Sequence, residues 1–303
     1  MSKNKSSNIS KIQDLITKDY LIEKKVGSGS FGQVYAAKKK SNDKIQVAIK
    51  IEKNVKNRTA KVYDEFKIYK YLRNHNFVIG VAKLYEYIEI GKYSLLVIEL
   101  LGPSLEDMFN KHNRTFKMPT IYMAALQLIE LIECLHKLSF IHRDIKPSNF
   151  LLGGHNNKQI YIMDFGLSKK YYYKDSGHMA FRSDKSLVGT ARYVSKNMHM
   201  GFEPSRRDDL ISIGYMLVYF AKGKLPWQGL PKNKNEDSII TIGKMKMSTS
   251  LRSLCSQLPS CFRDYLEYCE KLKFDEKPDY HYLKNLFIKS AENNNIKPKF
   301  EWL

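Results

Sequence analysis

With 303 residues the chain exceeds the usual size of one small domain, so it can form two packed lobes around separate cores. Lys and Arg outnumber Asp and Glu by 51 to 31, and the formal charge of +20 predicts acidic partners: acidic or phosphorylated proteins, nucleic acid, or an anionic membrane. The sequence has no RNA-binding signature, zinc-finger spacing or basic run interleaved with aromatics, so nucleic acid remains possible without a motif that supports it.

The cysteines and the N-terminus predict a soluble intracellular protein, cytoplasmic or nuclear, and we expect a monomer. The four cysteines form no CxxC pair and are interpreted as buried, reduced thiols. The opening text MSKNKSSNISK has no apolar core of a signal peptide, and Ser2 excludes the myristoylation pattern. The apolar run 211–221 is shorter than the ~20 residues that span a bilayer, so no membrane insertion is expected.

Residues 1–18 are rich in Ser, Asn and Lys and predict a flexible N-terminal arm. From Tyr20 the segments YLIEKKV, QVYAAKK and IQVAIKIE predict three antiparallel strands. The first two are joined by a glycine turn, defined as Gly27, Ser28, Gly29, Ser30, Phe31 and Gly32. A strand follows it, so it does not fit a dinucleotide-binding fingerprint, which needs a helix there; it fits a hairpin flap over phosphates or an ordinary hairpin tip.

Lys50 ends the apolar triplet Val47, Ala48, Ile49 in the third predicted strand. The next segment, KVYDEFKIYKYL, has helical spacing and offers Glu65 as a partner that would hold Lys50 inward, with Asp64 as its competitor. Residues 84–90 and 93–100 predict a second hairpin that completes a small sheet.

From Ser104 onward the text is mainly helical. Pro119 suits the first turn of a long helix that runs through Lys137 with one apolar face. We expect this helix to support the segment that follows it, IHRDIKPSNFLLGGHNNKQIYIMDFG, residues 141–166.

Residues 141–166 place polar groups suited to phosphoryl transfer between two apolar elements. Asp144, Lys146 and Asn149 lie in one short stretch, and Asp164 follows the apolar run 160–163. Phosphoryl transfer depends mainly on positioning and charge neutralisation: oxygen ligands for magnesium, a carboxylate for the attacking hydroxyl and a cation for the phosphate. These four side chains can supply all of them.

The same segment resembles the catalytic loop and metal-binding turn of protein kinases, H-R-D-x-x-x-x-N followed by D-F-G. With ELLGPSLEDMF, GTARYVSKNMHMGFEPSRRDDL and LPWQGL, the chain resembles the casein kinase I family of serine/threonine protein kinases over roughly residues 20 to 290. The vaccinia-related kinases are the nearest rival. The resemblance implies an α+β, bilobal protein-kinase fold. Residues 19–100 would form an N-lobe with a small antiparallel sheet and one helix, 101–295 a larger, mainly helical C-lobe, and 296–303 the C-terminal end.

The resemblance also implies a transferase that uses ATP and Mg²⁺, with a role for each matching residue. Asp144 would be the base that orients the substrate hydroxyl, and Lys146 the cation at the γ-phosphate. Lys50, fixed by Glu65, would contact the α- and β-phosphates. The other implied positions are the magnesium ligands Asn149 and Asp164, the nucleotide contacts of the glycine turn with Val34 and Ala48, the hinge Glu99, Leu100, Leu101 and Gly102 with Ile98 behind it, Thr190 beside Asp144, Asp209 below the loop, and His142 as a packed, structural histidine.

Enzymes of this family recognise a phosphate already present on the substrate through the arginine of GTARY, a lysine before it and a lysine after WQGL. Arg192 and Lys185 match the first two and predict a substrate anion pocket, whereas Ser238 stands at the third position. A preference for primed substrates therefore stays open. The alternatives are a catalytically silent, nucleotide-binding scaffold and a kinase-fold enzyme for small molecules.

Overall fold

The structure is a computed structural model that describes residues 18–29, 32–55, 60–75, 79–154, 157–230 and 237–303. Its described residues divide into two units. The first unit runs to Leu101 and includes Asp164–Gly166, and the second comprises Gly102–Met163 and Leu167–Leu303. The predicted arm up to residue 17, and Ser30 and Phe31 of the glycine turn, lie outside the described residues.

The first unit is an antiparallel five-stranded sheet with one helix. Its elements are β1 (Tyr20–Gly29), β2 (Gly32–Lys39), β3 (Asn42–Lys53), α1 (Lys61–Asn74), β4 (Leu84–Ile90) and β5 (Tyr93–Glu99), with the strands in the order β1-β2-β3-β5-β4. Ile49 lies opposite Tyr35 on one side and Val97 on the other, and all three are buried in one cluster. Because side chains alternate along a strand, Lys50 points to the opposite face.

The second unit is mainly helical. Its helices are α2 (Leu105–Lys111), α3 (Met118–Lys137), α4 (Lys196–His199), α5 (Arg206–Lys222), α6 (Ser238–Ser248), α7 (Leu251–Leu254), α8 (Ser260–Lys271) and α9 (Tyr280–Asn293). Its short strands are β6 (Phe140–Ile141), β7 (Phe150–Leu152), β8 (Ile160–Ile162), β9 (Lys169–Lys170), β10 (Tyr172–Tyr173) and β11 (Gly177–His178). The predicted fold class, an antiparallel sheet with one helix followed by a mainly helical part, is confirmed.

Two helices form the core of the second unit. α3 has Pro119 in its first turn, as predicted, and buries Ile121, Leu128 and Ile132. It is the one helix of the described chain that is long and apolar enough to cross a bilayer, but it packs against α5 and α9 as a core helix does. α5 is buried from Asp208 to Phe220. A reciprocal capping box between Ser205 and Asp208 begins it.

Gly214 lets α5 approach α8 closely, and Gly214→Ala tests this packing. A Cβ at this position would lie 2.4 Å from Cδ2 of Leu266, which is itself buried. We expect the substitution to lower the free energy of unfolding by roughly 1 to 3 kcal/mol, although alanine favours helix, because a filled core tolerates added volume poorly. Denaturant unfolding measures the change.

The control is Leu266→Ala, which creates the missing space. The double variant should lose less stability than the sum of the two single variants. Additive losses, or a Gly214→Ala variant as stable as the parent, would contradict this account of the α5–α8 contact.

Candidate active site

In the first unit Lys50 binds two carboxylates. Its Nζ donates to Oε2 of Glu65 at 2.7 Å and to Oδ1 of Asp164 at 2.8 Å. Glu65 lies on the buried face of α1 and is 2% exposed, whereas its competitor Asp64 forms an ion pair with Lys67 on the outer face. The structure therefore pairs Lys50 with Glu65 rather than with Asp64.

This cluster keeps Lys50 charged and holds Asp164 in place. Burial favours the neutral amine, but Glu65 and Asp164 outweigh it and raise the pKa of Lys50 above its ordinary value. Glu65 also accepts a hydrogen bond from the backbone N–H of Phe165, whose ring packs edge-on against Tyr69 at 5.0 Å. Asp164 itself has a positive φ of 65°, an uncommon conformation for a residue other than glycine. The 164–166 segment is thus held against the other residues of the first unit by charge, hydrogen bonding and packing.

The predicted nucleotide contacts in the first unit surround the glycine turn and the end of β5. A Cβ on Gly32 would lie 2.1 Å from the carbonyl oxygen of Ile51, so the close approach of β2 to β3 requires glycine there. Ala48 and Ile98 are buried neighbours on β3 and β5, and Val34 is half-buried opposite Lys50.

The predicted hinge has a donor suited to a nucleotide base. The backbone N–H groups of Glu99 and Leu100 bond to Lys83 and Gln46, but the N–H of Leu101 has no backbone partner in the part of the chain that the structure describes. A planar base with a ring acceptor fits such a donor, so these residues fit ATP.

In the second unit Asp144 collects three donors. Lys146 Nζ donates to its Oδ2 at 2.6 Å, Thr190 Oγ1 to its Oδ1 at 2.8 Å, and Asn149 Nδ2 to its backbone oxygen at 2.9 Å and to Oδ2 at 3.3 Å. The residue is 5% exposed. The structure thus brings together the predicted base, its cation, an amide and the predicted neighbouring threonine, and it fixes the orientation of the carboxylate.

The backbone before Asp144 is strained, and hydrogen bonds to Asp209 stabilise it. Arg143 has a positive φ of 68°. Asp209, in the first turn of α5, accepts the N–H of His142 at 2.7 Å and that of Arg143 at 2.9 Å, and the ring of His136 lies 3.0 Å from its Oδ2. Burial alone would raise the pKa of Asp209, but the bonds from His136 and His142 lower it below its ordinary value. Asp209 is therefore an anion that three donors satisfy.

His142 and Gly189 complete the support of the loop. His142 is fully buried, and its Nε2 lies 3.0 Å from the carbonyl oxygen of Met163, which agrees with a packed, structural histidine. Gly189 has φ 89°, and a Cβ there would lie 2.3 Å from the carbonyl oxygen of Arg143. Only glycine permits the turn before Thr190 to pack on the strained residue.

The residues expected in one anion pocket line two different cavities. Lys185 lies with Arg143 and Lys169 around a small cavity of about 90 Å³, in which Glu203 pairs with Lys169 at 2.8 Å and with Lys185 at 3.7 Å. Arg192 instead lines an open cavity of about 450 Å³ together with Lys146, Thr190 and Trp227. Gly189, which packs on Arg143, lies between Lys185 and Arg192 in the sequence. Ser238 begins α6 and is not among the described residues that line either cavity.

The predicted magnesium ligands fit a hard cation with few protein ligands. The amide nitrogen of Asn149 is turned towards Asp144, so its carbonyl oxygen is the atom suited to a metal. In the first unit, Asp164 carries a carboxylate, one oxygen of which binds Lys50. Among the described residues there is no cluster of three or more His, Cys, Asp or Glu side chains that could hold a metal ion by themselves. Mg²⁺ is usually held by one or two protein ligands together with substrate phosphates, so each of these two side chains is by its own chemistry suited to it.

Sequence reasoning did not anticipate three contacts of the site. It assigned Lys50 one carboxylate where the structure gives it two, and it gave no role to Gly189 or to the buried His136 under Asp209. The signal for Gly189 was its place before the threonine of GTARY. A histidine near the end of a helix carries no signal that separates a buried hydrogen-bonded ring from an exposed one.

A comparison with protein families agrees with this geometry. A family model described as the protein kinase domain matches residues 20–284, from the first residue of β1 to a point inside α9. The match includes every residue of both clusters described above.

Asp209→Asn tests the support of the loop. The amide group keeps the shape of the side chain but has only one oxygen, so its NH2 faces the N–H of either His142 or Arg143, which then remains buried without an acceptor. We expect a loss of about 2 to 4 kcal/mol in the free energy of unfolding, and faster hydrogen exchange at one or both of those amides. Asp264→Asn on the partly exposed face of α8 is the control and should change neither quantity. Unchanged exchange at His142 and Arg143 would contradict the assignment.

Proposed function

This chain belongs to the protein kinase family, and from that premise we propose that it transfers the γ-phosphate of ATP to serine and threonine side chains of protein substrates, as casein kinase I enzymes do. The observation that carries the proposal is the Asp144 carboxylate, which is oriented by Thr190, Lys146 and Asn149. A carboxylate held in this way is suited to orient a hydroxyl and to accept its proton.

Each cluster has a share in the proposed reaction. The glycine turn, the Leu101 N–H and Lys50 would hold ATP, and Asn149 with Asp164 would hold Mg²⁺. When bound, ATP supplies the phosphoryl group and the metal neutralises phosphate charge. Lys50 contributes a fixed positive charge, and its bonds to Glu65 and Asp164 keep it from folding back into solvent.

Asp144 would accept the proton of the substrate hydroxyl as that oxygen bonds to the γ-phosphorus, while the bond from this phosphorus to the β–γ bridging oxygen breaks and ADP leaves. Lys146, 2.6 Å from the same carboxylate, places a positive charge beside the site of attack, where negative charge accumulates on the transferred group. Its position two residues after Asp144 also favours serine and threonine substrates, because tyrosine kinases usually arrange this loop differently.

The proposed substrates are acidic or already phosphorylated proteins. Arg192 lines the open cavity beside Lys146 and Thr190, so an acidic side chain or a phosphate that enters this cavity meets two cations near the reactive loop. The formal charge of +20 favours the approach of such substrates over longer distances.

Asp144→Asn and Lys50→Met test the reaction. Each variant should lose ~10² to 10⁴ of the rate of phosphate transfer from radiolabelled ATP to casein, because the proton acceptor or the fixed cation is removed. The matched controls are Asp275→Asn and Lys53→Met, which change exposed residues of the same types. Circular dichroism should show that all four proteins are folded. Full activity in both test variants would refute the assignment, and ATP binding without transfer by the parent protein would favour a silent scaffold.

Arg192→Gln tests the choice of substrate. On an array of neutral, acidic and prephosphorylated peptides, the parent protein should prefer the negatively charged ones, and the variant should lose about two- to fivefold of that preference, the worth of one partly exposed charge pair. Lys185→Gln changes a residue of the other cavity, and its peptide preference separates the contribution of Lys185 from that of Arg192. Equal use of neutral and charged peptides by the parent protein would contradict the proposed substrate class.

A further inference from the structure

Lys246 is the one lysine in the described chain whose side chain is completely buried. It lies near the C-terminal end of α6, in the text GKMKMS. Burial of an ammonium group is costly unless hydrogen bonds and favourable electrostatics replace the lost water. A fully buried lysine therefore calls for a structural account of what it binds.

The Nζ of Lys246 binds two backbone carbonyls between two aromatic rings. It donates to the oxygen of Ala191 at 2.8 Å and to that of Val194 at 2.5 Å. It also lies 5.2 Å from the centre of the Tyr215 ring and 5.1 Å from that of Trp227, within the range of cation–π attraction. Burial lowers the pKa of Lys246 well below its ordinary value, yet the amine remains a donor to both carbonyls in either protonation state.

The segment that Lys246 binds, Gly189–Val194, accepts hydrogen bonds from further side chains. The indole N–H of Trp227 donates to the oxygen of Arg192 at 2.7 Å. His199 Nε2 lies 3.3 Å from the oxygen of Ala191, and because that oxygen can only accept, the ring nitrogen carries the proton. Burial, helped by Lys246, lowers the pKa of His199 to about 4, so the ring is neutral at physiological pH.

The same segment carries two groups of the proposed active site. Thr190 binds the Asp144 carboxylate at 2.8 Å, and Arg192 lines the open cavity beside it. Inside the segment, the N–H groups of Tyr193 and Val194 both bond to the oxygen of Thr190. The turn is therefore a compact unit whose place relative to α6 depends on the carbonyls that Lys246 holds.

We propose that Lys246 is a positioning residue for the protein substrate. By joining α6 to the carbonyls of Ala191 and Val194, it holds Thr190 and Arg192 in position relative to Asp144. This inference rests on the proposed kinase activity. The contacts described for Lys246 all lie within the second unit, on the segment 189–194 and the rings of Tyr215 and Trp227, so its influence should fall on the use of protein substrate and not on that of ATP.

Lys246→Met is the test variant, since methionine keeps an unbranched apolar stem between the two rings and removes both hydrogen bonds. The carbonyls of Ala191 and Val194 then lack their donor, and the segment can shift. Misplacement of reacting groups by about 1 Å can cost 10²-fold in rate, so we expect kcat/KM for a casein-derived peptide to fall on the order of 10- to 100-fold. The KM for ATP should stay within about twofold of the parent value, because no ATP contact is changed.

Lys244→Met is the matched control, because it removes a lysine from the same helix at an exposed position. It should retain the parent kinetics for peptide and ATP. Hydrogen exchange gives a second readout: the amides of Tyr193 and Val194 should exchange faster in Lys246→Met and at the parent rate in Lys244→Met.

The outcomes separate the two proposals. A parent protein that transfers no phosphate refutes the proposed function, whereas an active parent with equal peptide kinetics in Lys246→Met and Lys244→Met refutes the role of Lys246. An equal rise in the KM for ATP and for peptide refutes it as well, because that result indicates a general structural defect. Should Lys246→Met fail to fold, His199→Ala decides: it removes the second donor to Ala191 and should raise only the peptide KM, by about two- to fivefold. An unchanged peptide KM in His199→Ala then overturns the proposal.

Discussion

The buried Asp209 carboxylate is the constraint on which the rest of the predicted catalytic loop depends. It holds the backbone N–H groups of His142 and Arg143, and Arg143 has a conformation that few residues adopt without compensation. Its place in the first turn of α5 adds the favourable field of a helix N-terminus. Because α5 is buried from Asp208 to Phe220, the loop is anchored to a core helix of the second unit.

Through Arg143, the support from Asp209 extends to the turn that carries Thr190. The carbonyl of Arg143 packs against Gly189, and Thr190 after that glycine binds Asp144. Lys246 then ties the far side of the same turn to α6. The Asp144 carboxylate is thus fixed both by its own loop and by the turn that carries Thr190. Preorganisation of this kind is what phosphoryl transfer requires of a protein.

The electrostatics of the first unit are different, because its largely buried Lys50 lies between two carboxylates. The cluster of Lys50, Glu65 and Asp164 carries more negative than positive charge. Such an excess suits a site that a metal ion would enter. Lys246 is the opposite case, because carbonyls and aromatic faces surround its amine in place of carboxylates. The first arrangement suits charge neutralisation and the second suits the fixing of a backbone.

The sequence by itself determined the features that depend on local pattern. Strand-like apolar runs predicted the sheet, helical spacing offered Glu65 as a partner of Lys50 with Asp64 as its competitor, and the spacing of Asp144, Lys146 and Asn149 placed them within one short loop. Each of these follows from neighbours along the chain or from one strand–helix pair.

Only the tertiary structure decided the contacts between distant segments. Asp164 became a second partner of Lys50, and Arg192 and Lys185 were found to line two different cavities. Lys246 is the clearest case: a lysine in a helix between methionines is ordinarily solvent-facing, and its burial follows only from the packing of residues 189–194 against α6. The sequence pattern of a helix indicates which of its faces are apolar and which are polar. The residues that pack on those faces come from elsewhere in the chain.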